Sequence, residues 1–400
     1  MPSVDGLPAR RAALQMLDSV LRRGTTLEAA AARSSGLSPP DQALAVAISG
    51  EALRRLPDLD ALIDSTTRHP LPDDSKARMV LRLALAQAIG LKTPAHAVVA
   101  TALPLVEGGP RRLVHGVLGT LLRRGVVTDA APHLPVAVED RWHAAWGDAV
   151  VEAARGAIAD RPPLDLSFKD DSAAGAFAAA NDGRQLAPRH ARITSQSVAG
   201  LPGFGDGAFW VQDVAATFPA RLVPADAKTV LDLCAAPGGK TLQLAAAGHA
   251  VTALDCDARR LDRLRSNLER TKLSAKVVEA DALSWKPAAL FDAILLDAPC
   301  SATGTFRRHP EVLTRARPSF VAGAVELQAN LLERAARWVR PGGAIVYAVC
   351  SLEPEEGEAV ASAFLDRHPA FTTSAPQAGE LPDFAPPSAQ GWVRILPGAL

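Results

Sequence analysis

Apolar residues recur at helical spacing through the first third of the chain. Residues 9–23 (ARRAALQMLDSVLRR) place them on one face. Residues 38–56 open with Ser then Pro, a helix-start signal, and continue as PDQALAVAISGEALRRL. Residues 76–89 (KARMVLRLALAQAI) predict a further helix, stopped by Gly90, and residues 94–107 and 110–125 predict two more. A bundle of five or more helices over residues 8–126 is therefore expected. After Gly125, VVTDAAPHLP reads as a linker. A helix over 139–159 follows, with Trp142 and Trp146 four residues apart on a shared buried stripe. Residues 162–216 predict a small α+β connector with strands at 164–168 and 208–212. From about residue 217 the period switches repeatedly between strand and helix. Strands are expected at 229–233, 250–254, 276–279, 293–297 and 344–347, with helices such as 258–270 and 325–339 between them. That alternation predicts a doubly wound, mostly parallel sheet. The expected organisation is an all-α domain (1–126), a linker and connector (127–216) and an α/β Rossmann-like domain (217–400).

Composition narrows the class without changing this plan. The 400 residues are 48% hydrophobic and 22% charged, which describes a globular chain rather than a disordered one. Only 11 Phe, 6 Trp and 1 Tyr are present, so the cores must be built from Ala, Leu and Val. No apolar run reaches membrane-spanning length, and the start MPSVDGLPARR lacks the apolar core of a signal peptide. A cytoplasmic monomer without membrane contact is expected. Net charge is zero, but residues 1–126 hold 16 Lys and Arg against 11 Asp and Glu, and residues 127–216 hold 7 against 12. A basic module beside an acidic one suits local phosphate contacts, while solvated helix faces explain the charges equally well.

Chemistry concentrates in three loops that follow strands. The first is Asp232-LCAAPGGK-Thr241, where Gly238 and Gly239 permit close approach of a ligand to backbone and to a helix N-terminus. It is neither GxGxxG nor a P-loop. Asp255 ends the second strand and Asp281 ends the third (VVEAD). Such acids accept hydrogen bonds from a nucleoside-type cofactor, or else cap the helices that follow. The four cysteines, Cys234, Cys256, Cys300 and Cys350, form no CxxC pair and no metal-ligand spacing, so no metal is expected and the thiols are taken as reduced. Cys234 and Cys256 read as small buried hydrophobes. Cys300 (in DAPCSATG) and Cys350 (in YAVCS) leave strands at the rim where loop residues do chemistry.

Together DLCAAPGGKT, DAPCSATGTFRRHPE and YAVCSLEPEEGE resemble the motifs of the RsmB/NOP2/NSUN family of RNA cytosine-C5 methyltransferases. ARRAALQMLDSVL, TPAHAVVATALPLVE and LVHGVLGTLLRR resemble the NusB-like helical domain that precedes the catalytic domain in bacterial members of RsmB type. Trp210-VQDVAAT resembles the segment leading into that catalytic domain. The resemblance implies S-adenosylmethionine as cofactor. Cys234, Ala235, Ala236, Pro237, Gly238, Gly239 and Lys240 would hold its amino-acid end, Asp255 its ribose and Asp281 its adenine. Cys350 would be the nucleophile on cytosine C6, and Asp297 would hydrogen-bond the base near N3 and N4 when protonated. Cys300 would assist loss of the C5 proton and release of the adduct, with Arg307, Arg308 and His309 placed for phosphates. Three positions depart from the family. Val349 stands where Thr is usual, and Ser167-Phe168-Lys169 stands where an Arg-Val-Asn-like stretch contacts RNA. A closing strand pair is expected beyond Leu400, where this sequence stops. Small-subunit ribosomal RNA is the expected substrate. The alternatives are tRNA as substrate, or a non-catalytic, antitermination-like RNA-binding factor.

Overall fold

The computed structural model describes residues 6–34, 36–160, 162–194 and 198–399. The first helices are α1 (Leu7–Arg23), α2 (Leu27–Ala32), α3 (Pro39–Arg54), α4 (Leu56–Asp64), α5 (Lys76–Ile89), α6 (Ala95–Ala102) and α7 (Gly108–Arg124). Local signals set their starts: the side chains of Thr26, Ser38 and Ser75 each accept an N–H from the first turn of α2, α3 and α5. The short helices α2 and α4 were not expected, because each is too brief to show a period. Helix α5 is buried on nearly all sides and contacts α1, α3, α4, α6 and α7. A helix apolar all round belongs at the centre of a bundle. Two arginines on it, Arg78 and Arg82, are also buried, and the aspartates Asp60, Asp64 and Asp73 pair with them.

The helix expected over 139–159 is two helices, α8 (Val136–Trp146) and α9 (Asp148–Ala159). Gly147 between them has φ of 82°, a left-handed conformation that ends a helix. Trp142 is fully buried but Trp146 only half-buried, so they do not share one buried stripe.

A three-stranded antiparallel sheet follows, built from β1 (Leu164–Phe168), β2 (His190–Ile193) and β3 (Phe209–Val211), with helix α10 (Asp171–Ala180) against it; the order is β2-β1-β3. Strand β2, sequence HARI, carries too few apolar residues to be recognised alone. Its Arg192 is paired inside: Asp165 on β1 takes it through both carboxylate oxygens at 2.7 and 2.9 Å, and the same carboxylate lies 3.6 Å from the buried His190 Nε2. Ser167 and Phe168 are buried on this sheet.

The remaining elements are α11 (Val214–Arg221), β4 (Thr229–Leu233), α12 (Gly239–Ala246), β5 (Ala250–Asp255), α13 (Ala258–Thr271), β6 (Lys276–Glu279), β7 (Phe291–Asp297), α14 (Val312–Arg315), α15 (Pro318–Trp338), β8 (Val339–Ala348) and α16 (Glu358–Arg367). The strands form one sheet in the order β6-β5-β4-β7-β8, and all four pairings are parallel. Strand order reverses between β4 and β7. In open parallel sheets the crevice at that reversal, outside the carboxyl ends of the strands, is where ligands bind.

The described chain divides into two compact units, Met1–Arg161 with Thr303–Arg317, and Pro162–Ala302 with Pro318–Leu400. The division falls inside the segment 127–216. Residues 303–317, which leave the Cys300 loop, thus belong to the helical unit. There Phe306 meets Trp142 edge to face at 5.5 Å, and the buried Glu311 accepts the Leu27 N–H at 3.0 Å. Among the described residues no helix is long and apolar enough to cross a membrane.

Candidate active site

The glycine loop leaves the carboxyl end of β4. Cys234 has φ of 62° and Gly238 φ of 107°, and a Cβ at Gly238 would come within 2.9 Å of Leu264 Cγ. Only glycine meets both demands there. Helix α12 then starts at Gly239 without a side-chain cap, so the first-turn N–H groups are left for another acceptor. Gln212, from the segment after β3, braces this helix through Gln243 at 3.2 Å and accepts the Trp210 indole N–H at 2.7 Å.

Asp255, at the tip of β5, is buried. One carboxylate oxygen accepts the Ala236 N–H at 3.1 Å and the other the Asp257 N–H at 3.0 Å. It therefore ties the glycine loop to the next strand. The cap of α13 is Asp257, which accepts the Arg260 N–H at 3.1 Å. Asp281 is exposed and accepts the Leu283 N–H at 2.9 Å, closing the turn after β6. Of the helix-capping alternatives, Asp255 does not cap its helix and Asp281 caps a turn.

The two rim cysteines meet. Cys300, following β7, and Cys350, following β8, place their sulfurs 3.4 Å apart. Cys350 is exposed and Cys300 half-buried. The hydrogen bond with Cys350, helped by burial, raises the Cys300 thiol well above the usual range. Burial likewise pushes the Cys234 thiol up, with Asp255 and Asp297 adding to the effect, which makes it unreactive. Cys256 is exposed, contrary to the expectation of a buried hydrophobe. It directly follows the last residue of β5, where the chain turns out of the sheet.

Asp297 closes β7, and Lys240 Nζ donates to its Oδ2 at 2.7 Å. Burial opposes the charge on Lys240, but the Asp297 carboxylate overcomes this and raises its pKa. In this pair Lys240 is the donor and Asp297 the acceptor. Beneath them Asp232 is fully buried. Its Oδ2 accepts the Thr241 hydroxyl at 2.5 Å, while Oδ1 has no hydrogen-bond partner among the described residues. Burial pushes its carboxyl up to about 7, against the opposing Thr241 hydrogen bond and the Lys240 charge.

Sequence reasoning missed Glu356, which is fully buried and joins the Cys300 and Cys350 loops through Ser301 and Ser351. The available signal was its position six residues after Cys350 in an acidic run, where a solvated face is the ordinary reading. Arg307, Arg308 and His309 lie on the 303–317 segment, which belongs to the helical unit, whereas the thiols belong to the other unit. No group of three or more His, Cys, Asp or Glu able to hold a metal occurs among the described residues.

A parallel sheet with a glycine loop after its central strand, acids at successive strand tips and two thiols on the same rim defines a methyltransferase domain of the S-adenosylmethionine-dependent class. The comparisons agree. The sequence profile described as 16S rRNA methyltransferase RsmB/F matches residues 219–399, and that of the NusB family matches residues 7–123. The ribosomal RNA small subunit methyltransferase B of Xanthomonas campestris pv. campestris is 37% identical over 393 residues, covering 90% of this chain and 88% of the relative. That of Vibrio cholerae is 33% identical over 398 residues, covering 90% and 89%. The crystal structure of PH0851 superposes with a TM-score of 0.75 at 21% identity over 98% of this chain and 95% of its own, which shows the shared fold. A methyltransferase homolog protein from Pyrococcus horikoshii gives a TM-score of 0.51 at 28% identity, over 62% and 81%. The chain belongs to the RsmB/F family of rRNA methyltransferases, with a NusB domain at its N-terminal end.

The cofactor of this family is S-adenosylmethionine, and the residues present fit it. The uncapped N-terminus of α12 suits a carboxylate, and the glycine loop lets a ligand reach backbone N–H groups.

Proposed function

We propose that this protein methylates C5 of a cytosine in small-subunit ribosomal RNA, in the cytoplasm and as a monomer, through a covalent bond between Cys350 and C6. The observation that carries this reading is the 3.4 Å separation of the Cys300 and Cys350 sulfurs on adjacent strand tips beside the glycine loop. Two thiols in contact, one exposed and one half-buried, suit a nucleophile and a partner that acts later.

Cytosine C5 is a weak nucleophile. Attack of the Cys350 thiolate on C6 forms a C–S bond and moves the C5=C6 electron pair toward C5, with the ring's charge met by a proton at N3. In this reading Lys240, hydrogen-bonded to Asp297 at 2.7 Å, supplies that proton and takes it back afterwards. Bound S-adenosylmethionine supplies the methyl group for C5. Cys234 to Lys240 would hold its amino-acid end, Asp255 its ribose and Asp281 its adenine. Once Cys350 is bonded to C6, its hydrogen bond no longer raises the Cys300 thiol, which gives its proton to solvent and then takes the C5 proton. The C5–H electron pair then restores C5=C6, the C6–S bond breaks, Cys350 leaves as thiolate, and N3 gives back the proton it gained, so that neutral 5-methylcytosine is released. The base must be unpaired or flipped out to reach these groups.

Residues 1–126 serve RNA binding in this reading. Several arginines there are engaged internally: Arg78 and Arg82 on aspartates, Arg10 on Gln87 and Arg55 on Glu51. Arg111, Arg112, Arg123 and Arg124 on α7 are exposed and supply the phosphate-facing charge. Bisulfite sequencing of ribosomal and transfer RNA with and without the gene tests the reading. Loss of a single 16S cytosine mark is expected. A lost tRNA mark, or no change, overturns it.

A further inference from the structure

We propose that Glu356 is a positioning residue: a buried carboxylate clamp that fixes the distance between the two thiols. The inference rests on the reading that both thiols act in the reaction.

Ser301 directly follows Cys300, and Ser351 directly follows Cys350. Glu356 lies between them in the turn before α16 and is fully buried. Its Oε1 accepts the Ser301 N–H at 2.8 Å and the Gln328 side-chain amide at 3.0 Å. Its Oε2 accepts both serine hydroxyls, that of Ser351 at 2.5 Å and that of Ser301 in a short bond. The two hydroxyls are themselves 2.9 Å apart.

Outer contacts hold the same loops. Gln328 on α15 donates to the Pro299 carbonyl at 3.0 Å and accepts the hydroxyl of Tyr347, the chain's only tyrosine, at 2.9 Å. Arg394 donates to the Ser351 carbonyl at 2.7 Å and pairs with Glu358. A buried carboxylate that loses its donors pays a large desolvation penalty, so the two loops cannot separate without stranding it. This makes the spacing of Cys300 and Cys350 stiff, which two thiols acting in turn on one base require. The control is exerted through the backbone, one residue away from each thiol.

The test uses the full-length protein and the oxidant diamide, which takes two hydrogens from Cys300 and Cys350, is itself reduced to the hydrazine, and leaves an S–S bond. The rate is read by peptide mass and needs no RNA. Glu356→Asp keeps the charge but is one methylene too short to reach both loops. It should slow disulfide formation, and independently lower kcat for rRNA methylation, by about 10- to 100-fold. KM for RNA and affinity for S-adenosylmethionine should stay within about twofold, as expected when only positioning is lost. Glu356→Gln should recover part of both rates, since serine hydroxyls can turn to accept from an amide. An unchanged disulfide rate in folded Glu356→Asp overturns the clamp. If that variant does not fold, the Ser301→Ala/Ser351→Ala double variant carries the test, with the same slowing expected and an unchanged rate again overturning it. Slowed disulfide formation with undiminished methylation supports the clamp and overturns the two-thiol reaction instead.

Discussion

Lys240 Nζ and Asp297 Oδ2 lie 2.7 Å apart, joining the glycine loop after β4 to the cysteine loop after β7 across the reversal in strand order. In the proposed reading, the cofactor side and the base side of the crevice share this one ion pair. Removing the carboxylate charge with Asp297→Asn should cost about 1.5–3 kcal/mol of transition-state stabilisation, the worth of a hydrogen bond to a charged group, or roughly 10- to 100-fold in kcat. Single-turnover methylation measures this. A rate equal to wild type would remove the pair from the reaction.

Asp255 accepts two backbone N–H groups, one of them from the glycine loop. Asp255→Ala leaves both unmet, so S-adenosylmethionine affinity should fall by about 1–3 kcal/mol. Titration calorimetry gives the answer. A lower melting temperature with unchanged affinity would reduce Asp255 to a brace for the loop.

Asp232 gives a pH signature. Its folded carboxyl is pushed up to about 7, mainly by burial, whereas an unfolded Asp titrates near ~3.9. Between these values the native state binds the extra proton, so this group's contribution to stability declines as pH rises from about 4 to 7. Asp232→Asn keeps an acceptor for Thr241 and cannot ionise. Its melting temperature should exceed that of wild type increasingly toward pH 7. Parallel melting curves across pH 4–7 would show that Asp232 titrates normally.

The exposed arginines of α7 should act through phosphate. Replacing Arg111, Arg112, Arg123 and Arg124 with Gln should reduce the magnitude of the salt slope of rRNA binding by about three, if each releases roughly 0.7–0.9 of a counterion. S-adenosylmethionine affinity should not change. An unaltered slope would assign the helical unit to protein docking, with its arginines merely solvated.

Most of the catalytic sheet was legible in the sequence, because buried parallel strands read as short apolar runs between helices. Strands at 229–233 and 276–279 match β4 and β6 residue for residue. Strand β2 was not legible, since its burial depends on an Asp165 partner from a distant strand. Gly147 sits inside an otherwise helical pattern, where a single glycine is also tolerated within a helix, so its positive φ of 82° was not legible from the pattern alone. The same holds at the site. Cysteines and glycines announce themselves by type and position, but the Glu356 contacts span up to 55 residues and need the fold to appear. The pairing of Lys240 with Asp297, 57 residues away, was invisible for that reason.

The division of labour between the thiols is the central claim. Wild type, Cys300→Ala and Cys350→Ala should be incubated with methyl-labelled S-adenosylmethionine and unmodified 16S rRNA, then run on a denaturing protein gel. With Cys300→Ala, a labelled protein–RNA adduct should accumulate, because attack by Cys350 proceeds and release fails. Cys350→Ala should give neither adduct nor methylated RNA. Turnover by Cys350→Ala, or normal turnover by Cys300→Ala without a trapped species, would contradict the account.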